Sequence, residues 1–173
     1  AKPDEDQLKE NLSAMKKFQK QYKDIPMYMM LVPNAANIES DKLPGYAVTE
    51  NQEKQFKAIH STLGSAYTWV DVSDILKKHR SEEIYYHTDH HWTTLGAYYG
   101  YQALSKSMKL DTSKTSDMKP YAVTNAFNGT LASTSGYETG NEEPIYIYAP
   151  DNLKNATEAV VCLLSTSDAA DEE

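Results

Sequence analysis

The sequence predicts an α/β domain with a mostly parallel sheet and helices packed on its faces. Over residues 4–79, helical spacing of apolar residues alternates with short apolar runs, in the order helix, strand, helix, strand, helix. Such alternation is typical of parallel strands joined by helical crossovers. The chain has 173 residues, of which 40% are hydrophobic, and this is enough for one globular domain with a core.

The first half of the chain supplies the alternating elements. The pattern predicts helices over 4–22, 49–63 and 73–79, strands over 27–32 and 67–72, and a loop over 35–46. The first helix is amphipathic, and the run over 27–32 suits a strand buried on both faces. Thr49 to Gln52 is typical of a capping box, and Ser73 is the expected cap of the short helix.

The second half begins with a strand over 84–86 and a helix over 95–108, with Thr93 or Thr94 as its N-cap. Gly96 and Gly100 lie inside this helix. Because glycine weakens helices, we expect both to allow close packing. After residue 110 the composition becomes polar, and short strands over 121–124 and 144–148 are predicted around a loop over 127–136.

Three of the five histidines lie within residues 87–91, directly before a helix. Asp89 can accept a hydrogen bond from the imidazole of His91, fix its tautomer and stabilise its protonated form. This is the base-and-orienter half of a nucleophilic triad. Asn34 follows the strand over 27–32. Because the carboxyl ends of parallel strands meet at one edge of a sheet, we expect Asn34 at the same edge as Asp89 and His91, and it is a candidate site residue.

Two other interpretations of the histidine cluster are open. The histidines could be structural groups with satisfied hydrogen bonds, which the Asp-x-His pattern alone favours. His87, Asp89, His90 and His91 could instead bind a metal ion. Adjacent residues of an extended chain point to opposite faces, and this disfavours the metal site.

The string YYHTDHHWTTLGAYY over residues 85–99 resembles the signature of the bacterial DHHW protein family. It also resembles the Asp-x-His-Trp block of alginate O-acetylation proteins, which are SGNH-hydrolase-like. The resemblance covers most of residues 25–150, where Val-Pro-Asn at 32–34 and Phe-x-Gly-Thr-Leu at 127–131 also match. It implies an SGNH-like three-layer α/β/α sandwich that is incomplete at the C-terminus.

The resemblance also implies roles for individual residues. Asp89 would be the orienting carboxylate and His91 the general base, with Trp92 as the floor of the site. His90 falls on a variable position. We group His90 with Asn34 and Trp92 as candidate substrate-binding residues, and expect neither a cofactor nor a metal.

In the related O-acetylation proteins the Asp-x-His block precedes the nucleophilic serine, which we therefore expect C-terminal to Val161. Ser133 and Ser135 are not favoured, because no nucleophile-elbow motif surrounds them. The expected function is an acetyltransferase or acetylesterase acting on an exported or cell-surface polysaccharide, inactive as this piece alone. The alternative is a non-catalytic polysaccharide-binding module on a degenerate SGNH scaffold.

The net charge bears on which partners the protein can bind, and the start of the sequence bears on its cellular location. The chain carries 17 basic and 25 acidic residues, and the net charge of −8 argues against nucleic acid as a partner. No signal peptide or membrane span is visible, and the chain opens on Ala1 without a Met. We expect an extracytoplasmic protein, at the cell surface or anchored to a membrane through a segment upstream, with a membrane-bound acyl donor as a potential partner.

Residues 162–173 resemble the in-frame translation of a sequencing adapter. We therefore expect the native domain to cover residues 1–161 and the remainder to be read-through. The four carboxylates of the last segment account for half of the net charge of −8.

Overall fold

The computed structural model describes residues 4–112, 118–136, 140 and 142–150. In chain order the helices are α1 (Glu5–Gln21), α2 (Ala35–Ile38), α3 (Gln52–Leu63), α4 (Ser73–Lys78), α5 (Thr94–Met108) and α6 (Thr130–Ser135), and the strands are β1 (Tyr28–Met29), β2 (Thr68–Trp69), β3 (Met118–Phe127) and β4 (Glu143–Pro150). Short 3₁₀ turns cover Ser40–Lys42 and Gly64–Ala66. Residues 162–173, the expected read-through, lie outside the described residues.

The strands form two small sheets. β1 and β2 are parallel, with Tyr28 opposite Thr68 and Met29 opposite Trp69, as the helix–strand alternation predicts. β3 and β4 are antiparallel. The predicted strands over 27–32 and 67–72 are therefore in the expected places, although each has only two residues in ladder pairing.

The strand predicted over 84–86 is wrong. Tyr85 forms only an isolated antiparallel bridge with Trp92. The reason is that the chain turns back on itself here: the Tyr86 amide donates to the His91 carbonyl at 3.2 Å, and the Thr93 amide donates to the Ile84 carbonyl at 2.9 Å. These backbone groups are satisfied within the turn, so they do not extend the β1–β2 sheet.

The core lies between the β1–β2 pair, α2, α4 and the turn before α5. Its fully or almost fully buried members are Ile38, Val70, Val72, Leu76, Ile84 and Tyr85. On the outside of this core α1 contacts α3, and the Tyr67 hydroxyl donates to the Met15 carbonyl at 2.9 Å. The predicted first helix is confirmed.

Two caps differ from the predictions. α3 begins three residues later than expected because Asn51 is its N-cap, and the Asn51 Oδ1 atom accepts from the Lys54 amide at 2.9 Å. Thr49 is not part of the helix. Ser73 is the first residue of α4 and not its cap, because Asp71 Oδ1 accepts from the Ser73 amide at 2.8 Å.

Two predicted loops contain helical turns. Residues 35–46 include α2 and a 3₁₀ turn, since Asn34 Oδ1 caps the Asn37 amide at 3.1 Å. Residues 127–136 include α6, which begins directly after Gly129. Both segments are rich in small and turn-forming residues, and local side-chain and backbone hydrogen bonds stabilise a short helix there despite weak apolar periodicity.

α5 is the predicted long helix, and Thr93 is its N-cap, with Oγ1 accepting from the Gly96 amide at 3.2 Å. The close packing predicted for its glycines is confirmed. A Cβ atom at Gly96 would collide with the Ile84 carbonyl, and one at Gly100 would lie 2.6 Å from the indole ring of Trp92. Among the described helices, none is both long and apolar enough to cross a membrane.

β4 packs against α5. The Thr94 hydroxyl donates to the Tyr146 carbonyl at 2.6 Å, and the rings of Tyr98 and Tyr148 stack with centroids 6.3 Å apart. The β3–β4 hairpin is thus attached beside the N-terminal end of α5, next to the histidine turn.

Candidate active site

The candidate site is the turn over residues 87–91, between the Tyr85–Trp92 bridge and the N-cap of α5. The turn buries its polar centre: Thr88 is 1% exposed and Asp89 is 6% exposed. The side chains of His90 and His91, in contrast, are about half exposed. A buried carboxylate therefore lies beneath two accessible imidazoles.

Asp89 and His91 form the pair that the sequence predicts. Asp89 Oδ1 accepts from the His91 amide at 2.9 Å and lies 2.5 Å from His91 Nδ1. A carboxylate oxygen at this distance requires the proton on Nδ1, so Nε2 carries the lone pair. Nε2 is thus the atom of His91 that can accept a proton.

The second oxygen of Asp89 is held by the start of α6. Asp89 Oδ2 accepts from the Thr130 amide at 3.0 Å and from the Thr130 hydroxyl at 3.2 Å. Burial raises the pKa of Asp89, but the hydrogen bonds from the Thr130 and His91 amides and from the His91 ring outweigh it and lower the pKa to about 2. Asp89 is consequently ionised throughout the neutral range.

His90 lies on the same side of the turn as His91. Their ring centroids are 3.9 Å apart, so the expectation that adjacent histidines point to opposite faces is wrong here, because the backbone bends and is not extended. His90 Nδ1 lies 3.0 Å from Thr130 Oγ1. Since the Thr130 hydroxyl proton is directed to Asp89, His90 Nδ1 donates to this oxygen and its Nε2 carries the lone pair.

The bend also brings metal-competent groups together. Asp89, His90 and His91 each offer a ligand atom, and these atoms lie within 4.8 Å of one another. His87 is not in this group, and its Nδ1 lies 3.1 Å from Glu143 Oε1. Both oxygens of Asp89 already accept hydrogen bonds from Thr130 and His91. A cation bound by Asp89 would therefore have to displace at least one of these hydrogen bonds.

The other predicted site residues lie in the frame of the turn. Trp92 is half-buried, and its indole packs against Gly100 of α5 and the core. Asn34 caps α2, with Oδ1 accepting from Asn37. The Tyr85 hydroxyl donates to the Pro33 carbonyl at 2.6 Å and ties the segment before Asn34 to the bridge below the turn. Substrate contact by these residues remains a prediction.

Three residues of the site were not identified from the sequence. Thr88, Thr130 and Glu143 hold the turn through hydrogen bonds across 41 to 56 residues. The Phe-x-Gly-Thr-Leu match was the available signal for Thr130. Glu143 is one of many carboxylates and follows no motif, so the sequence offered no signal for it.

A buried carboxylate that orients an accessible imidazole, on a turn at a helix N-terminus of an α/β domain, has the geometry of the base-and-orienter half of a nucleophilic hydrolase or acyltransferase site. The catalytic role of the pair stays a prediction. The particular family follows from the sequence. The family model described as SGNH hydrolase-like domain, acetyltransferase AlgX, matches residues 1–169, and the chain belongs to this family.

Solved structures agree on the fold. A DHHW family protein from Eubacterium siraeum is 24% identical, with a TM-score of 0.60 over 81% of this chain and 48% of that chain. PatB1 of Bacillus cereus is 21% identical, with a TM-score of 0.65 over 87% and 54%. The O-acetyltransferase domain of Pseudomonas putida AlgJ is 18% identical, with a TM-score of 0.61 over 85% and 58%.

These comparisons confirm the predicted SGNH-like α/β fold and the predicted relationship to AlgX-type proteins. A DHHW family protein and AlgJ, both named by the predicted resemblance, share the fold. The chain spans about half the length of the solved structures that it matches. No curated protein matches the sequence.

Proposed function

We propose that this chain is the base-providing part of an SGNH-type enzyme that transfers or hydrolyses acetyl esters on a polysaccharide. The observation that carries the proposal is the 2.5 Å contact between His91 Nδ1 and the buried carboxylate of Asp89. It leaves Nε2 of a half-exposed ring as the proton acceptor. Membership of a family described as acetyltransferase supports acetyl as the acyl group.

In the proposed reaction a serine C-terminal to Val161 is the nucleophile. His91 Nε2 accepts the proton of the serine hydroxyl as its oxygen attacks the acetyl carbonyl, and Asp89 stabilises the resulting imidazolium. The tetrahedral intermediate expels the donor alcohol, which takes the proton back from His91. A sugar hydroxyl or water then attacks the acetyl-serine by the same steps in reverse.

Support for a nucleophile outside this chain comes from lengths and contacts. The solved structures that match are about twice as long as the aligned part of this chain. Ser133 and Ser135 lie in α6, where their hydroxyls donate to the Thr130 and Ala132 carbonyls. Their hydroxyls are therefore used within the helix that caps Asp89.

Substrate contacts are assigned by position. The ring of His90 is half exposed and lies beside His91, so the lone pair at its Nε2 could accept a hydrogen bond from a sugar hydroxyl. Trp92 supports the turn from below, and Asn34 would add a polar side chain at the start of α2. No cofactor is needed for this chemistry, because acyl transfer through serine requires only a base and an oxyanion site.

The location and partners follow from the proposed substrate. An enzyme that modifies an exported or cell-surface polysaccharide acts outside the cytoplasm, and acetyl groups would reach it from a membrane-bound donor partner. The AlgJ structure is described as an O-acetyltransferase domain, which favours transfer over hydrolysis.

The test begins with the reading frame beyond the codon for Val161. The protein that continues past this point is assayed for acetyl release from, and acetyl transfer to, polysaccharide. His91→Ala is expected to lower kcat at least about 10³-fold. His60→Ala is the matched control, because His60 stacks on Trp69 in a different part of the fold. Unchanged turnover in His91→Ala would overturn the proposed role.

The same protein distinguishes the alternative function. A double variant, Asp89→Asn with His91→Ala, removes the proposed base while leaving Trp92 and the tyrosines in place. An enzyme loses turnover in this variant. Wild-type protein without turnover, together with a double variant that binds polysaccharide as tightly as the wild type, would instead favour the binding-module hypothesis.

A further inference from the structure

Glu143, the first residue of β4, forms an unusually complete set of contacts with the turn. Its side chain is 13% exposed. Oε1 accepts from the His87 amide at 2.8 Å, and Oε2 accepts from the Thr88 amide at 2.8 Å and from the Thr88 hydroxyl at 2.5 Å. One carboxylate therefore satisfies two consecutive backbone amides and the Thr88 hydroxyl.

Thr88 connects Glu143 to the start of α6 through hydrogen bonds. Its hydroxyl donates its proton to Glu143, so its lone pair accepts from the Gly129 amide at 3.1 Å. Its carbonyl accepts from the Ala132 amide at 3.1 Å. Both contacts fix the first turn of α6 against the histidine turn.

The first turn of α6 in turn holds Asp89. Thr130 follows Gly129 directly, and its amide and hydroxyl are the two donors to Asp89 Oδ2. A continuous hydrogen-bonded path thus runs from Glu143 through Thr88 and Gly129–Thr130 to Asp89, and from Asp89 to His91.

We infer that Glu143 is a positioning residue that sets the orientation of the Asp89–His91 pair from β4. The inference rests on the proposed function in that the oriented pair is the catalytic base. Glu143 acts through Thr88, whose amide and hydroxyl donate to it. β4 can hold a fixed position for this purpose because it is attached to α5 through the Thr94–Tyr146 hydrogen bond.

The substitution Glu143→Gln distinguishes a positioning role of Glu143 from a direct effect of its negative charge on Asp89. Glu143→Gln keeps the shape but replaces one acceptor oxygen with an NH₂ group, so either the His87 amide or the Thr88 amide and hydroxyl lose their acceptor. If the path is interrupted, Thr130 loses its alignment with Asp89, and the pKa of Asp89 rises from about 2. Loss of a nearby negative charge alone would act in the opposite direction and lower this pKa.

The experiment is a carbon-13 titration of the Asp89 carboxyl group in this 173-residue chain, with nitrogen-15 spectra of the His91 ring. Glu143→Gln is expected to raise the Asp89 pKa by about one unit and to weaken the Nδ1–H signature of His91. Glu142→Gln is the matched control, because it removes the same charge from an exposed neighbour. Glu143→Gln spectra identical to those of Glu142→Gln would overturn the inference.

A second pair of variants covers the case in which Glu143→Gln does not fold. Thr88→Val removes the hydroxyl but retains the branched shape and charge, and it should raise the Asp89 pKa, whereas Thr88→Ser should restore the wild-type value. Equal pKa values in both variants refute the path through Thr88. Because these measurements need no turnover, they can fail while the proposed function holds, and they can succeed while it fails.

Discussion

The space beside Asp89 makes Gly129 the sharpest test of the site. Gly129 is buried directly before α6, with φ −85° and ψ −174°, an extended conformation that any residue can adopt. A Cβ atom there would collide with Asp89 Cβ, and would lie 2.6 Å from Asp89 Oδ2 and 2.7 Å from the Thr88 carbonyl oxygen. Gly129→Ala therefore introduces steric overlap without backbone strain.

The size of the effect follows from these distances. The new methyl group is at least about 0.7 Å inside ordinary van der Waals contact with both oxygens. Overpacking of a buried site costs about 1–3 kcal/mol, and losing a hydrogen bond to a charged group such as the Thr130–Asp89 contact costs about 1.5–3 kcal/mol. We expect Gly129→Ala to lower the free energy of unfolding by at least about 2.5 kcal/mol.

Urea denaturation measures this difference, and Gly45→Ala is the matched control. Gly45 is exposed, its φ is not left-handed, and a Cβ atom added to it would have no neighbouring atom within 4 Å. Its substitution should therefore change the free energy of unfolding by less than about 1 kcal/mol. A Gly129→Ala variant within about 1 kcal/mol of the wild type would refute the packing of α6 against Asp89.

Two further predictions concern Asp89 and the start of α3. Because the pKa of Asp89 falls from 3.8 to about 2 on folding, its charge contributes about 2.5 kcal/mol of stability above pH 4, which is lost as the pH falls through 2. The stability difference between wild type and Asp89→Asn, measured by urea denaturation, should therefore shrink from pH 4 to pH 2; a constant difference contradicts the role of the charge. Asn51→Ala should lower the free energy of unfolding by about 1 kcal/mol through loss of the N-cap, whereas Thr49→Ala should leave it almost unchanged. Equal losses of stability in thermal denaturation would instead support the capping box that the sequence predicted.

Much of the fold could be predicted because its signals are local. The apolar spacing of α1 and α5 and the parallel order of β1 and β2 depend on residues close in sequence or on general rules of connection. The pair Asp89 and His91 was predictable for the same reason, since its members are two positions apart and one turn brings them together.

The remaining parts of the site depend on long-range packing. Thr130 and Glu143 contact the turn only because β4 packs against α5 and the start of α6 lies against Asp89, and no local pattern specifies that arrangement. The prediction of a strand over 84–86 was wrong because contacts outside the segment decide its structure. Its residues are strand formers, but the hydrogen bond between Ile84 and Thr93 closes a turn that satisfies the same backbone groups.

The path from Glu143 to Asp89 also has a consequence for the order of assembly during synthesis. The histidine turn leaves the ribosome well before the hairpin that completes it, and 55 residues separate Thr88 from Glu143. Until α6 is made, the carboxylate of Asp89 lacks the Thr130 donors, and until β4 is made, the turn lacks the carboxylate of Glu143. The side chains of Asp89 and His91 therefore reach their final arrangement late, after most of the core beside them can already have formed.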